Sequence, residues 1–116
     1  MMRWLLFTSL VALIAGCSER GPRTLGAAVN GGETTVAIAR QTNVAASVVL
    51  RGTMTKKCPV AGCWFVLHDQ TGTIKVDTKN AGFVVVDVPL NTSMVVAGRV
   101  TTNGEERLID ATGVRY

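Results

Sequence analysis

The sequence predicts an all-β domain, a small five-stranded barrel, and three observations carry that prediction. Apolar and polar residues alternate with a period of two in several successive segments, the pattern of a strand with one buried face. Two of these segments hold a glycine near their middle, Gly52 and Gly98, where a small barrel must coil sharply. Short polar breaks, Asp69-Gln70-Thr71-Gly72 and Asn103-Gly104, suit tight hairpin turns.

Each element follows from its residues. Thr35-Val36-Ala37-Ile38-Ala39 fits either a short strand or one or two turns of helix. Residues 47–56 read as the first clear strand, with Val48, Leu50 and Met54 on one face and Arg51, Thr53 and Thr55 on the other. Residues 63–69 are the second. Cys63, Phe65 and Leu67 share one side, and Trp64, Val66 and His68 the other. Residues 73–77 are the third, with Ile74 and Val76 inward and Lys75 outward. Residues 78–92 are irregular, because Lys79-Asn80-Ala81-Gly82 breaks the chain and Pro89 stops the apolar run that starts at Phe83. Residues 93–102 form the fourth strand, with Met94, Val96 and Val100 inward. Asn103-Gly104 reads as a type I′ turn into a fifth strand over 105–114.

The N-terminal third differs in character. Arg3 precedes an apolar stretch over residues 4–15, and the run Ile14-Ala15-Gly16-Cys17 closes it. A dozen apolar residues are too few for a permanent membrane span, which needs roughly 20, but they suit the apolar part of an export signal. The layout resembles a bacterial lipoprotein signal. That resemblance implies cleavage after residue 16, lipid on the Cys17 sulfur and a membrane anchor made of several acyl chains, since one chain anchors only weakly. Ser18 follows the cysteine, where retention at the inner membrane usually needs an aspartate. The expected location is therefore the outer membrane, facing the periplasm, in a Gram-negative host. Residues 17–32 are rich in glycine and small residues and read as the lipidated cysteine and a flexible tether. The barrel domain is expected over 33–116. With the signal removed, about 100 residues remain, enough for one domain with one modest core.

Five strands, an irregular linker after the third and a closing hairpin match the strand order of an OB-fold. The run Val48-Val49-Leu50-Arg51-Gly52, then Cys58, Gly62-Cys63-Trp64-Phe65, Leu67 and Val95-Val96-Ala97-Gly98, resembles an uncharacterised family of small secreted bacterial domains. That family has an OB-like barrel and a Cys…Gly-Cys-Trp signature. The helix that usually joins strands three and four of an OB barrel is not visible, and residues 83–88 look extended instead. The resemblance implies a fold and a site, and no reaction.

Cys58-Pro59-Val60-Ala61-Gly62-Cys63 joins the first two strands. In an oxidising compartment an even pair of cysteines reads first as a disulfide. The alternative is a soft-metal site, with Cys58 and Cys63 binding Cu or Zn and His68 or Met54 as a further ligand. Strand alternation argues against His68, which is five residues from Cys63 and projects to the opposite face. Thiol exchange is a third reading, because Lys56 and Lys57 beside Cys58 would lower its pKa.

Trp64, Val66 and His68, with Lys75 nearby, form a candidate binding surface, since the outer face of strands two and three is the usual ligand face of an OB barrel. The alternative reading of Trp64 is a cover for the barrel mouth against the irregular segment at Phe83. Nucleic acid is not expected: the formal net charge is only +4 with Arg3 included, and no basic stripe interleaves with aromatics. Asp69, Asp77, Asp87 and Asp110 are scattered, and no Ser/His/Asp set or phosphate loop assembles. The sequence thus leads to a lipid-anchored envelope protein that binds a partner, rather than an enzyme.

Overall fold

The computed structural model describes residues 22–116. The elements are β1 (Thr24–Gly26), α1 (Val36–Ala39), β2 (Ser47–Lys57), β3 (Trp64–Asp69), β4 (Gly72–Asp77), β5 (Ser93–Asn103) and β6 (Glu106–Arg115). The sheet order is β1-β6-β4-β3-β2-β5, and β5 also pairs with β6. That last pairing closes strands β2 to β6 into a barrel. All barrel pairings are antiparallel except β4 with β6, which run parallel. The five strands expected from alternation are these five, in OB order.

Alternation places the core as expected. Val48, Leu50, Met54, Phe65, Leu67, Ile74, Val76, Met94, Val96, Val100 and Ile109 are buried together inside the barrel. The two ends are closed differently. At the β3–β4 hairpin end, α1 inserts Val36 and Ala39. At the other end the irregular segment inserts Val85 and Val88. It is not extended throughout, as its sequence suggests, but closes a turn there with the Val88 N–H donating to the Val85 carbonyl (3.0 Å), and this turn fills the barrel where a helix is usual. The ambiguous segment at residue 35 is therefore helical, for one turn.

A turn this short is held by its surroundings rather than by propensity. Thr35 caps it, its hydroxyl accepting from the Ile38 N–H at 3.2 Å. From the hairpin, Asp69 Oδ2 accepts the Val36 N–H (2.9 Å) and Thr71 Oγ1 accepts the Ala37 N–H (2.9 Å). Burial works to raise the Asp69 pKa, but the hydrogen bonds from Thr71, Val36 and Gly72 outweigh it and hold the carboxyl below its ordinary value. A lowered carboxyl pKa stabilises the fold above the ordinary aspartate range and loses that contribution as pH falls through the folded value. Asp69→Ala is expected to cost about 1–2 kcal/mol at neutral pH. In thermal melts against pH, the gap between the two proteins should close in acid. A gap that is unchanged in acid would contradict the assignment.

Three expectations need correction. Part of the tether is folded: β1 pairs with the end of β6, Thr24 opposite Arg115 and Gly26 opposite Gly113. Val29 is buried with Val49, Val95 and Ala97 on the outside of β2 and β5. The domain therefore begins before residue 33. The segment reads as a linker because only Leu25 and Val29 carry large apolar side chains there, while backbone pairing does the rest. Second, the β5–β6 turn is shifted by one residue. Asn103 pairs with Glu106, and Gly104 alone has positive φ (66°), the φ pattern of a type II′ turn with glycine first rather than type I′. Third, the β2–β3 register shifts between Met54 and Lys56. This bulge brings Lys56, not Thr55, opposite Val66.

Candidate functional site

The outer face of β2, β3 and β4 gathers the residues expected there. Trp64 lies opposite Asp77, Val66 opposite Lys75 and His68 opposite Thr73. The bulge adds Lys56 to the row, so Val66 sits between Lys56 and Lys75. Lys75 Nζ stands 5.1 Å from the centre of the Trp64 ring, a cation–π contact. Trp64 and Val66 are half-buried and His68 is exposed. Phe83 packs elsewhere, its ring within 2.7 Å of where a Cβ on Gly26 would lie. Beyond His68 the face opens into a cleft of about 420 Å³, lined by Thr35, Arg51, Gly52, Thr53, His68 and the hairpin residues 69–71. Arg51 closes its edge through an ion pair with Glu33 at 2.8 Å. The face thus offers an aromatic ring under a cation, one half-buried valine between two lysines and, further along, polar groups.

The cysteine loop borders this face. Cys58 N–H donates to the Trp64 carbonyl (3.0 Å), which extends the β2–β3 ladder by one residue. The chain then makes one helix-like turn, with the Gly62 N–H donating to the Cys58 carbonyl (3.2 Å). Proline at the first position of such a turn is preorganised. Gly62, at φ 62°, ends it and lies so close to Val86 that a Cβ there would fall 2.5 Å from the Val86 nitrogen. The loop is tied to the irregular segment by the Val85 N–H donating to the Gly62 carbonyl (2.8 Å). Lys57 completes the junction, its ammonium donating to the carbonyls of Val86 (2.9 Å) and Val88 (2.6 Å). Lys57 was not expected to act in this way. Its role follows from the bulge, which turns it away from the outer face and towards the barrel end.

Cys58 and Cys63 are free, half-buried thiols. The N–H groups of Ala61 and Val60, helped by Gly62 and Cys63, favour the Cys58 thiolate. They outweigh burial and bring its pKa down to about 7. The cause is the amides of the turn rather than the neighbouring lysines. In reduced protein, alkylation of Cys58 should therefore rise with pH to a midpoint near 7, read by peptide mass. A midpoint above 8.5, about that of an ordinary cysteine, would contradict this geometry.

The suggested further metal ligands do not join the thiols. Met54 is fully buried in the barrel core, opposite Leu67. His68 is at the far end of β3, on the face opposite Phe65 and Leu67. Among the described residues, no three His, Cys, Asp or Glu side chains are grouped to hold a metal ion. Asp77 accepts the Lys79 N–H (2.8 Å), and Asp110 accepts from the Asn80 side-chain amide (3.2 Å). Cys17, the expected lipid site, lies outside the described residues.

A closed barrel of five strands, with β4 and β6 parallel and a half-buried tryptophan on the outer face of its second strand, defines a small OB-fold domain of the binding type. The chain belongs to the bacterial OB fold (BOF) protein family, whose model matches residues 21–116. It is also similar to a solved structure described as the hypothetical protein ygiW from E. coli. The two share 26% identity at a TM-score of 0.57, over 73% of this chain and 89% of that one. No curated protein matches the chain.

Proposed function

We propose that this protein is an exported, lipid-anchored envelope protein whose OB barrel binds a protein partner through the face around Trp64. The observation that carries the reading is the Trp64–Lys75 pair beside Val66 and Lys56. Tryptophan is enriched among binding hot spots, and this is the ligand side of an OB barrel. The anchor is Cys17, after the apolar stretch over residues 4–15. Outer-membrane placement follows from Ser18. In an oxidising envelope Cys58 and Cys63 would pair, which would stiffen the loop beside Trp64 more than it would the fold, because the closed ring is small. The face performs recognition and no catalysis.

Trp64→Ala is expected to weaken partner capture from envelope extracts by about 2 kcal/mol, roughly 30-fold. Circular dichroism and the thiol oxidation state should stay as in the native protein. Equal capture by the variant would reject the face. Stoichiometric Cu or Zn uptake by reduced protein, lost in Cys63→Ser, would replace this reading with one centred on the thiols.

A further inference from the structure

The barrel end that carries the cysteine loop differs from the rest of the surface. Of six exposed large apolar residues among those described, four lie there: Val60, Val84, Val86 and Leu90. Val60 is 87% exposed. They belong to two adjoining segments, the 58–63 loop and residues 83–90, joined at Gly62 and Val85. Side chains of this kind leave water readily, and a patch of them marks a contact surface.

The chain enters the domain at this same end. β4 runs towards the cysteine loop, where the Thr78 N–H donates to the Cys63 carbonyl (2.9 Å). β6 runs parallel to β4, so its last residues point the same way. Arg23 and Tyr116 exchange backbone hydrogen bonds there, and Phe83, from the apolar segment, packs on Gly26 of β1. Residue 22 therefore leaves the domain beside the apolar end. From Cys17 to Pro22 is five residues, which span no more than about 18 Å when fully extended. Lys56, Lys79 and Arg23 are exposed in or beside these segments and Asp87 is exposed there too. Lys79 is paired with Asp77 at 3.8 Å, which leaves a small positive excess at this end. That excess is compatible with an anionic surface, and the short tether is what selects the bilayer.

We propose that this end, residues 58–63 with 83–90, rests on the surface of the bilayer that anchors the chain, with Val60, Val84, Val86 and Leu90 entering the headgroup region. The proposal rests on the lipid-anchor reading, because a short tether is what keeps this end close to lipid and makes its docking intramolecular. Docking in this pose turns the β3–β4 hairpin and the cleft at His68 away from the membrane.

The test uses the mature protein in phosphatidylethanolamine/phosphatidylglycerol vesicles, with intact mass verifying the acyl groups. Amide hydrogen exchange over 58–63 and 83–90 is compared with that of a Val60→Asp/Val86→Asp variant in the same vesicles. The hairpins at 70–71 and 104–105 serve as internal references. Native protein should exchange more slowly in both segments by about an order of magnitude, with the hairpins unchanged. Ile38→Asp, an exposed apolar residue on α1 at the other end, should behave as native. Equal exchange in native and doubly substituted protein, or loss of protection in Ile38→Asp, would overturn the docking proposal alone. Protection that fades on dilution of protein at constant lipid would assign this end to a second copy and overturn the lipid contact. A protein with no acyl groups would overturn the anchor, and the docking with it.

Discussion

Phe65→Ala is expected to destabilise the domain by about 3–5 kcal/mol, the cost of truncating a fully buried phenylalanine. Phe65 is the largest of the completely buried side chains. It sits on β3 between Lys57 of β2 and Val76 of β4, in the single cluster that also takes Val85 and Val88 from the irregular segment. Removing it leaves a large cavity in a small core. A marginal domain has about 5–15 kcal/mol in all, so the variant should melt far below the native protein or fail to fold at ambient temperature. Its neighbour Trp64 provides the contrast, because the two project to opposite faces of one strand. Trp64→Ala should leave the melt close to native while losing capture. If both substitutions destabilised equally, the inside and outside of β3 would be wrongly assigned.

Gly98→Val should be nearly as damaging, for a backbone reason. The β5–β6 register shifts between Ala97 and Gly98, and the strands approach closely there. A Cβ on Gly98 would lie 2.5 Å from the Asp110 carbonyl oxygen, 2.7 Å from Ile109 Cγ2 and 2.9 Å from Ala111 Cα. Two of these three are backbone atoms and cannot swing aside. Relief requires β5 and β6 to part at the seam that closes the barrel. The expected cost is about 3 kcal/mol, at the upper end of ordinary overpacking, read as a lowered denaturant midpoint. A native midpoint would mean that the barrel is not closed through this pair.

The residues that made the barrel legible in the sequence are those whose environment is set by alternation. Val48, Leu50, Phe65, Leu67, Ile74, Val76, Met94 and Val96 needed only a period of two and a hydrophobic interior. The same period set Trp64, Val66 and His68 on the outer face with Lys75. What stayed hidden depends on contacts between distant segments. The bulge after Met54 has no mark in Thr53-Met54-Thr55-Lys56-Lys57, and without it Lys56 and Lys57 exchange roles. The pairing of Thr24–Gly26 with β6 rests on backbone bonds that a Gly- and Ala-rich stretch does not advertise. One turn of helix at Val36 exists because Asp69, 33 residues away, supplies an acceptor. The low Cys58 pKa has a partial signal, since proline after cysteine and glycine before Cys63 favour a tight turn, whose amides then face the sulfur.

The proposed function requires that the OB barrel be held on a membrane by lipid attached to Cys17. The most direct test is the intact mass of the native protein, before and after thiol alkylation. The expected mass is that of a chain starting at Cys17 with acyl groups attached. A mass that includes residues 1–16 and no acyl groups would contradict it.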